Sequence, residues 1–115
     1  MISAGQLNRR IQVQRATRIP NGAGGFTLEW SDYGAPIFAM RRDVSDRELF
    51  EGGRLGSVLM TRFTVRSTAF TKTIRRTDRI VHEGMFFGIE GIKEVPPGKA
   101  FFEITAQTGL AGFSE

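Results

Sequence analysis

Few residues in this chain are equipped for chemistry. His82 is the only histidine and there is no cysteine, which leaves one imidazole as a possible base and removes two-histidine metal sets, thiolate sites and a disulfide framework. Asp78 and Glu83 lie near His82 in the sequence without completing an acid–base set. The other carboxylates are scattered, with no pair placed as acid and base catalysis requires. His82 therefore reads as an ordinary surface or edge residue beside a tight turn. Gly22-Ala23-Gly24-Gly25 has the glycines of a phosphate cradle but not the Gly-Lys-Ser/Thr ending, and no helix follows to present its N-terminus. It reads as a hairpin loop. The expectation is no enzyme, no cofactor and no metal.

Charge offers a second chemistry. The 115 residues carry 16 Lys and Arg against 12 Asp and Glu, and 13 of the cations are arginines, whose planar forks suit carboxylates and phosphates alike. The first 28 residues hold Arg9, Arg10, Arg15 and Arg18 and no acid. Arg41-Arg42 and Arg75-Arg76 are charged pairs for which a solvated or subunit-facing place is expected ahead of phosphate contact. A small nucleic-acid-binding β-barrel is the alternative reading. It would need exposed aromatics among the basic positions, whereas Phe63, Phe87 and Phe102 fall where core residues belong. No apolar run approaches the roughly 20 residues that span a bilayer, and no secretory segment is expected.

The elements that must position these residues are strands. Arg10 to Arg15 alternates strictly, placing Ile11 and Val13 on one face. Turn formers at 20–25 precede a second extended run, Phe26 to Trp30, and the two predict a hairpin. Ile37 to Arg42 is a third strand. Leu59 to Ser67 is a fourth, with Leu59, Thr61, Phe63 and Val65 opposite Met60, Arg62, Thr64 and Arg66. Glu83-Gly84 predicts a tight turn between Arg79–His82 and Met85–Glu90. Ile92 falls out of phase with Phe87 and Ile89, which predicts a bulge at Gly91. A last strand over Ala100 to Gln107 turns Phe102, Ile104 and Ala106 one way.

Six or seven such strands predict a mainly all-β domain over 1–115, a small antiparallel barrel or compact sandwich. It carries an N-terminal arm 1–9, a loose C-terminal tail 108–115 and one long loop, 43–58. That loop is far longer than a hairpin needs, and functional residues concentrate in such excursions. Within it Asp46 is a candidate helix cap, Arg47 to Glu51 a short helix, and Gly52-Gly53 its end. So short a helix needs a surface to pack on, which Leu49, Phe50 and Leu55 would meet.

Several of these pieces, in order, resemble the phage head-tail joining family, also called head closure, stopper or head-tail adaptor proteins. The similarity runs from Ala4-Gly5-Gln6-Leu7-Asn8-Arg9-Arg10-Ile11-Gln12-Val13-Gln14-Arg15 through a Gly-containing turn before Trp30 and Phe38-Ala39-Met40. It continues through Ser45-Asp46-Arg47-Glu48, Thr61-Arg62-Phe63-Thr64-Val65, and Asp78-Arg79-Ile80 with Gly84-Met85-Phe86-Phe87-Gly88-Ile89. It covers roughly residues 4 to 106. Arg41 stands where an apolar residue is common in the family, and Asp46 where a glycine is.

The resemblance implies a non-catalytic connector in the virion neck, present in the host cytoplasm before assembly and monomeric when free. It would form a homo-oligomeric ring between the portal and adaptor and a tail completion or tail tube protein, near packaged DNA and away from membranes. The long loop would reach neighbours or the channel. Arg47, Glu48 and Arg54 are its expected polar contacts, Leu49 and Phe50 its apolar anchors, and Gly52, Gly53 and Gly56 its pivots, with Leu55 also meeting a partner surface. Leu7, Arg9 and Arg10 belong to a candidate docking arm.

Overall fold

The computed structural model describes residues 4–51, 54–96 and 98–108, with side chains in those ranges except at 4, 45–51 and 54–58. The strands are β1 Arg9–Pro20, β2 Phe26–Asp32, β3 Ile37–Glu51, β4 Arg54–Arg66, β5 Arg79–His82, β6 Met85–Glu94 and β7 Phe101–Thr108. Two single 3-10 turns, Ala4–Gln6 and Thr71–Thr73, complete the described elements. The all-β architecture is the expected one.

The strand order is β2-β1-β3-β4-β7-β6-β5, every pair antiparallel, and β5 pairs back onto β1. Six strands thus close a ring and leave no edge, while β2 stands outside it on β1. Alternation decides what faces inward. Ile11, Val13, Ala39, Phe63, Val65, Ile80, Phe87, Ile89, Ile104 and Ala106 are buried in one cluster. Phe63 is its centre: its ring meets Phe87 edge-on at 5.3 Å, and His82 at 5.8 Å. Edge-on geometry sets the positive rim of one ring against the negative face of the other.

Two local devices appear where the sequence places them. The β5–β6 turn needs two consecutive residues at positive φ, supplied by Glu83 at 52° and Gly84 at 77°, while His82 pairs with Met85 across it. In β6 the register against β7 slips between Ile89 and Gly91, which returns Ile92 to the core side.

The long excursion is not a loop with a short helix. β3 and β4 remain paired from Ala39↔Val65 to Glu51↔Arg54, so 43–58 is a two-stranded arm joined at 52–53. Asp46 caps nothing; it pairs with Leu59. The segment 46–50 shows no polar-apolar alternation in sequence, and what identifies it as strand is its hydrogen-bond ladder with β4. The register shifts between Asp43 and Ser45, a bulge at the point where the arm leaves the ring.

β1 also outruns its expected end. Past Gln14 it pairs only with β2, from Arg15↔Ser31 to Pro20↔Phe26, and makes a second projecting ribbon. Its tip is fastened by Asn21, whose Oδ1 accepts from the backbone N–H groups of Ala23 and Gly25 at 2.9 and 3.1 Å.

Candidate functional site

Antiparallel pairing fixes which end of the ring each projection leaves. Arg9 pairs with Ala39 and Ile11 with Ile37, so β1 runs toward the end at which β3 begins. The β1–β2 ribbon therefore projects from one end, and the β3–β4 arm from the other. The whole is elongated, 49 × 33 × 22 Å.

The arm end is closed by charge. Arg41 keeps the inward phase of Ala39, so its side chain is only 13% exposed, and its guanidinium lies 5.7 Å from the centre of Phe87. The solvated place expected for it is not the one observed. Its Nε donates to Asp43 at 3.1 Å and its Nη1 to Glu83 at 3.3 Å, and Arg9 donates to the other Glu83 oxygen at 3.1 Å. Burial pushes the Asp43 carboxyl up, but hydrogen bonds from Arg41 and from the Thr61 hydroxyl outweigh it and hold the carboxyl below its ordinary value.

His82 belongs to the same end. It is 4% exposed, not a surface residue, because it shares the inward face of β5 with Ile80. Its Nδ1 lies 3.0 Å from the Arg10 carbonyl, which can only accept, so Nδ1 carries the hydrogen; Nε2 stands 3.8 Å from Glu83. A histidine bound to backbone inside the wall has no open face for a substrate. Among the described residues no three His, Asp or Glu side chains gather as a metal set would.

The ribbon end is closed by chain. Residues 67–78 cross it, with Ile74 buried in the core and Thr71 hydrogen-bonded to the Arg66 carbonyl at 2.7 Å. Gly34, at φ +75°, leaves room for the Phe70 ring, which a Cβ there would strike. Asp78 is the fastening. Its carboxylate is fully buried and accepts from Arg15 Nε and Nη2, both at 2.9 Å, and from the Arg75 N–H at 2.8 Å. Arg15 also donates to the Thr73 carbonyl and stacks on Tyr33 at 3.7 Å. Asp78 holds the Arg15 guanidinium above its ordinary pKa. Removing one partner of a buried pair costs roughly 3–5 kcal/mol, but Arg15 is a quarter exposed and water recovers part of that. Asp78→Ala is thus expected to cost about 2–3 kcal/mol and to lower the melting temperature by about 10 °C, measured by thermal denaturation.

The expected site residues separate. Arg47, Glu48, Leu49, Phe50, Arg54 and Leu55 lie with Asp46 on the arm as paired strand, not helix or loop; Gly52 and Gly53 lie outside the described residues. Leu7 is buried against the domain's own wall, and Arg9 and Arg10 begin β1. Of the candidate arm 1–9, positions 1–3 lie outside the described residues, as do 109–115 of the tail.

One surface was not anticipated. On the outer face of the ribbon Phe26 and Leu28 are 55% and 59% exposed. Arg18 lies 4.3 Å from the centre of the Phe26 ring, and Arg79 sits against both Trp30 and Phe86 at 4.3 and 4.0 Å. The alternation Phe26-Leu28-Trp30 was its available signal.

The architecture is a closed β-ring with two projecting strand pairs, one at each end. The family model for phage head completion proteins matches residues 2–109, and the chain belongs to that family. Membership places it among the structural components of the virion. A chain of the virion of a native gene transfer agent particle shares its fold, with a TM-score of 0.78 and 21% identity, covering 92% of this chain and 97% of that one. No curated protein matches the sequence.

Proposed function

We propose that the protein is a non-enzymatic connector of a tailed phage or prophage particle. It forms a ring between the portal and adaptor complex and the tail, and closes the head after DNA packaging. The observation that carries this reading is the family match across nearly the entire chain. The fold supports it: a rigid, phenylalanine-filled ring presents two projections at opposite ends, as a molecule bound on two sides requires. In this reading Arg47, Glu48 and Arg54 make polar contacts, Leu49 and Phe50 anchor, and Gly52, Gly53 and Gly56 let the arm adjust. Arg9 and Arg10, exposed at the start of β1, offer a second polar contact, whereas Leu7 is taken up by the domain's own wall.

Electron cryomicroscopy of packaged capsids incubated with the purified protein tests the proposal. New density encircling the channel below the portal is expected, together with retention of DNA. Protein that leaves the portal bare and instead coats free DNA, with affinity falling steeply as salt rises, would favour a nucleic-acid-binding barrel.

A further inference from the structure

The two projections share a physical problem. A two-stranded ribbon is marginal in water by itself, and this chain holds out two, 15–20 with 26–31 and the arm beyond Val44. The ribbon has an exposed apolar face, Phe26 and Leu28, and the arm's register sorts its residue types onto two sides. On the β1–β2 ribbon, cross-strand pairing sets Arg18 opposite Leu28 and Pro20 opposite Phe26, so these four share a face that is apolar and positively charged. On the arm, Glu48 pairs with Ser57 and Phe50 with Leu55, and positions 46, 48 and 50 share one side of the ladder with 55 and 57. By residue type that side holds two carboxylates, two large apolar groups and no base.

We infer that the acidic, apolar side of one copy's arm packs on the basic, apolar face of the next copy's β1–β2 ribbon. The inference rests on the connector reading and names the contact that builds its ring. Charge selects the second copy's arm over its ribbon: two ribbons face to face would set Arg18 against Arg18, whereas arm on ribbon sets Arg18 against Asp46 and Glu48. Because the projections leave opposite ends, the contact is heterologous, joining each copy to two neighbours through different surfaces. Such contacts close into a ring when the rotation per copy divides a full turn.

The chain has no cysteine, so introduced thiols are the only ones. Particles are assembled with the Leu28→Cys/Ser57→Cys chain, treated with a short bis-maleimide and run on a denaturing gel. The double variant should give a ladder of covalent multimers beyond the dimer, and each single variant monomer alone. Dimers from Leu28→Cys alone would mean that ribbons meet ribbons, and multimers from Ser57→Cys alone that arms meet arms. Incorporated double variant with no ladder would mean that another protein covers these faces. Any of these three results overturns the contact and leaves the connector reading intact, whereas a chain missing from the particles overturns both.

Charge exchange supplies an independent readout. Arg18→Glu should lower the yield of joined particles about tenfold, as a loss of ~1.4 kcal/mol does, and Glu48→Arg in the same chain should restore it. An unchanged yield with the first substitution, or no recovery with the second, counts against the contact.

Discussion

A chain lacking residues 46–55 is expected to fold normally and to fail completely at joining filled heads to tails. The excision falls on a ladder that can be shortened cleanly. Ser45 pairs with Met60, so the deletion joins them through positions 56–59, a four-residue connection of a length that hairpins commonly use. Every buried residue of the described core lies outside the excised segment, and the ring's own closure keeps β1 on β5 whole and β4 on β7 from Met60↔Gln107 onward, giving up only Leu59↔Thr108. The melting temperature should move little. Function should not survive, because the excised residues hold all the expected polar and apolar contacts of the arm. The measurement is infectious titre together with micrographs of the lysate, in which full heads and free tails should accumulate side by side. Normal titres from the shortened chain would remove the arm from the joining contact.

The ring was legible because burial leaves a period. In Arg10–Arg15 and Leu59–Arg66 one face of each strand meets the core, and the alternation of Ile11 with Val13, or Phe63 with Val65, follows from that. The tight turn at Glu83-Gly84 and the slip at Gly91 were readable for the same reason, since both interrupt a period. The arm was misread because backbone pairing alone, which many side-chain orders permit, makes it a strand pair. Asp46 to Phe50 does not alternate by polarity, and turn-forming glycines after a short polar stretch then look like the end of a helix. Arg41 and His82 were misread in the opposite sense. Their types say surface, yet they occupy inward positions at the rim, where a guanidinium can lie on Phe87 and still reach Asp43 and Glu83. A closed ring has ends as well as walls, and at this end the inward phase is filled by polar side chains that find partners there, His82 on the Arg10 carbonyl and Arg41 on Asp43 and Glu83.

The core that lets two projections be held out rigidly should be brittle at one point. Phe63→Ala is expected to destabilise the protein by about 3–5 kcal/mol, the usual range for deleting a fully buried ring, and to lower the melting temperature by about 12–20 °C. Its side chain has no accessible surface and touches two other rings, Phe87 and His82, in edge-on geometry. Strands tied on both sides around a closed ring cannot move inward to fill the space, so the cavity should persist and its full cost be felt. Phe63→Leu keeps most of the volume and should cost only roughly 1–2 kcal/mol. Stability of a typical domain is about 5–15 kcal/mol, so the alanine variant approaches the whole of it, and thermal or urea denaturation distinguishes the two substitutions. A small loss for Phe63→Ala would mean that the ring collapses to refill the site. A wall that yields in this way could not fix the spacing between two partners at its opposite ends.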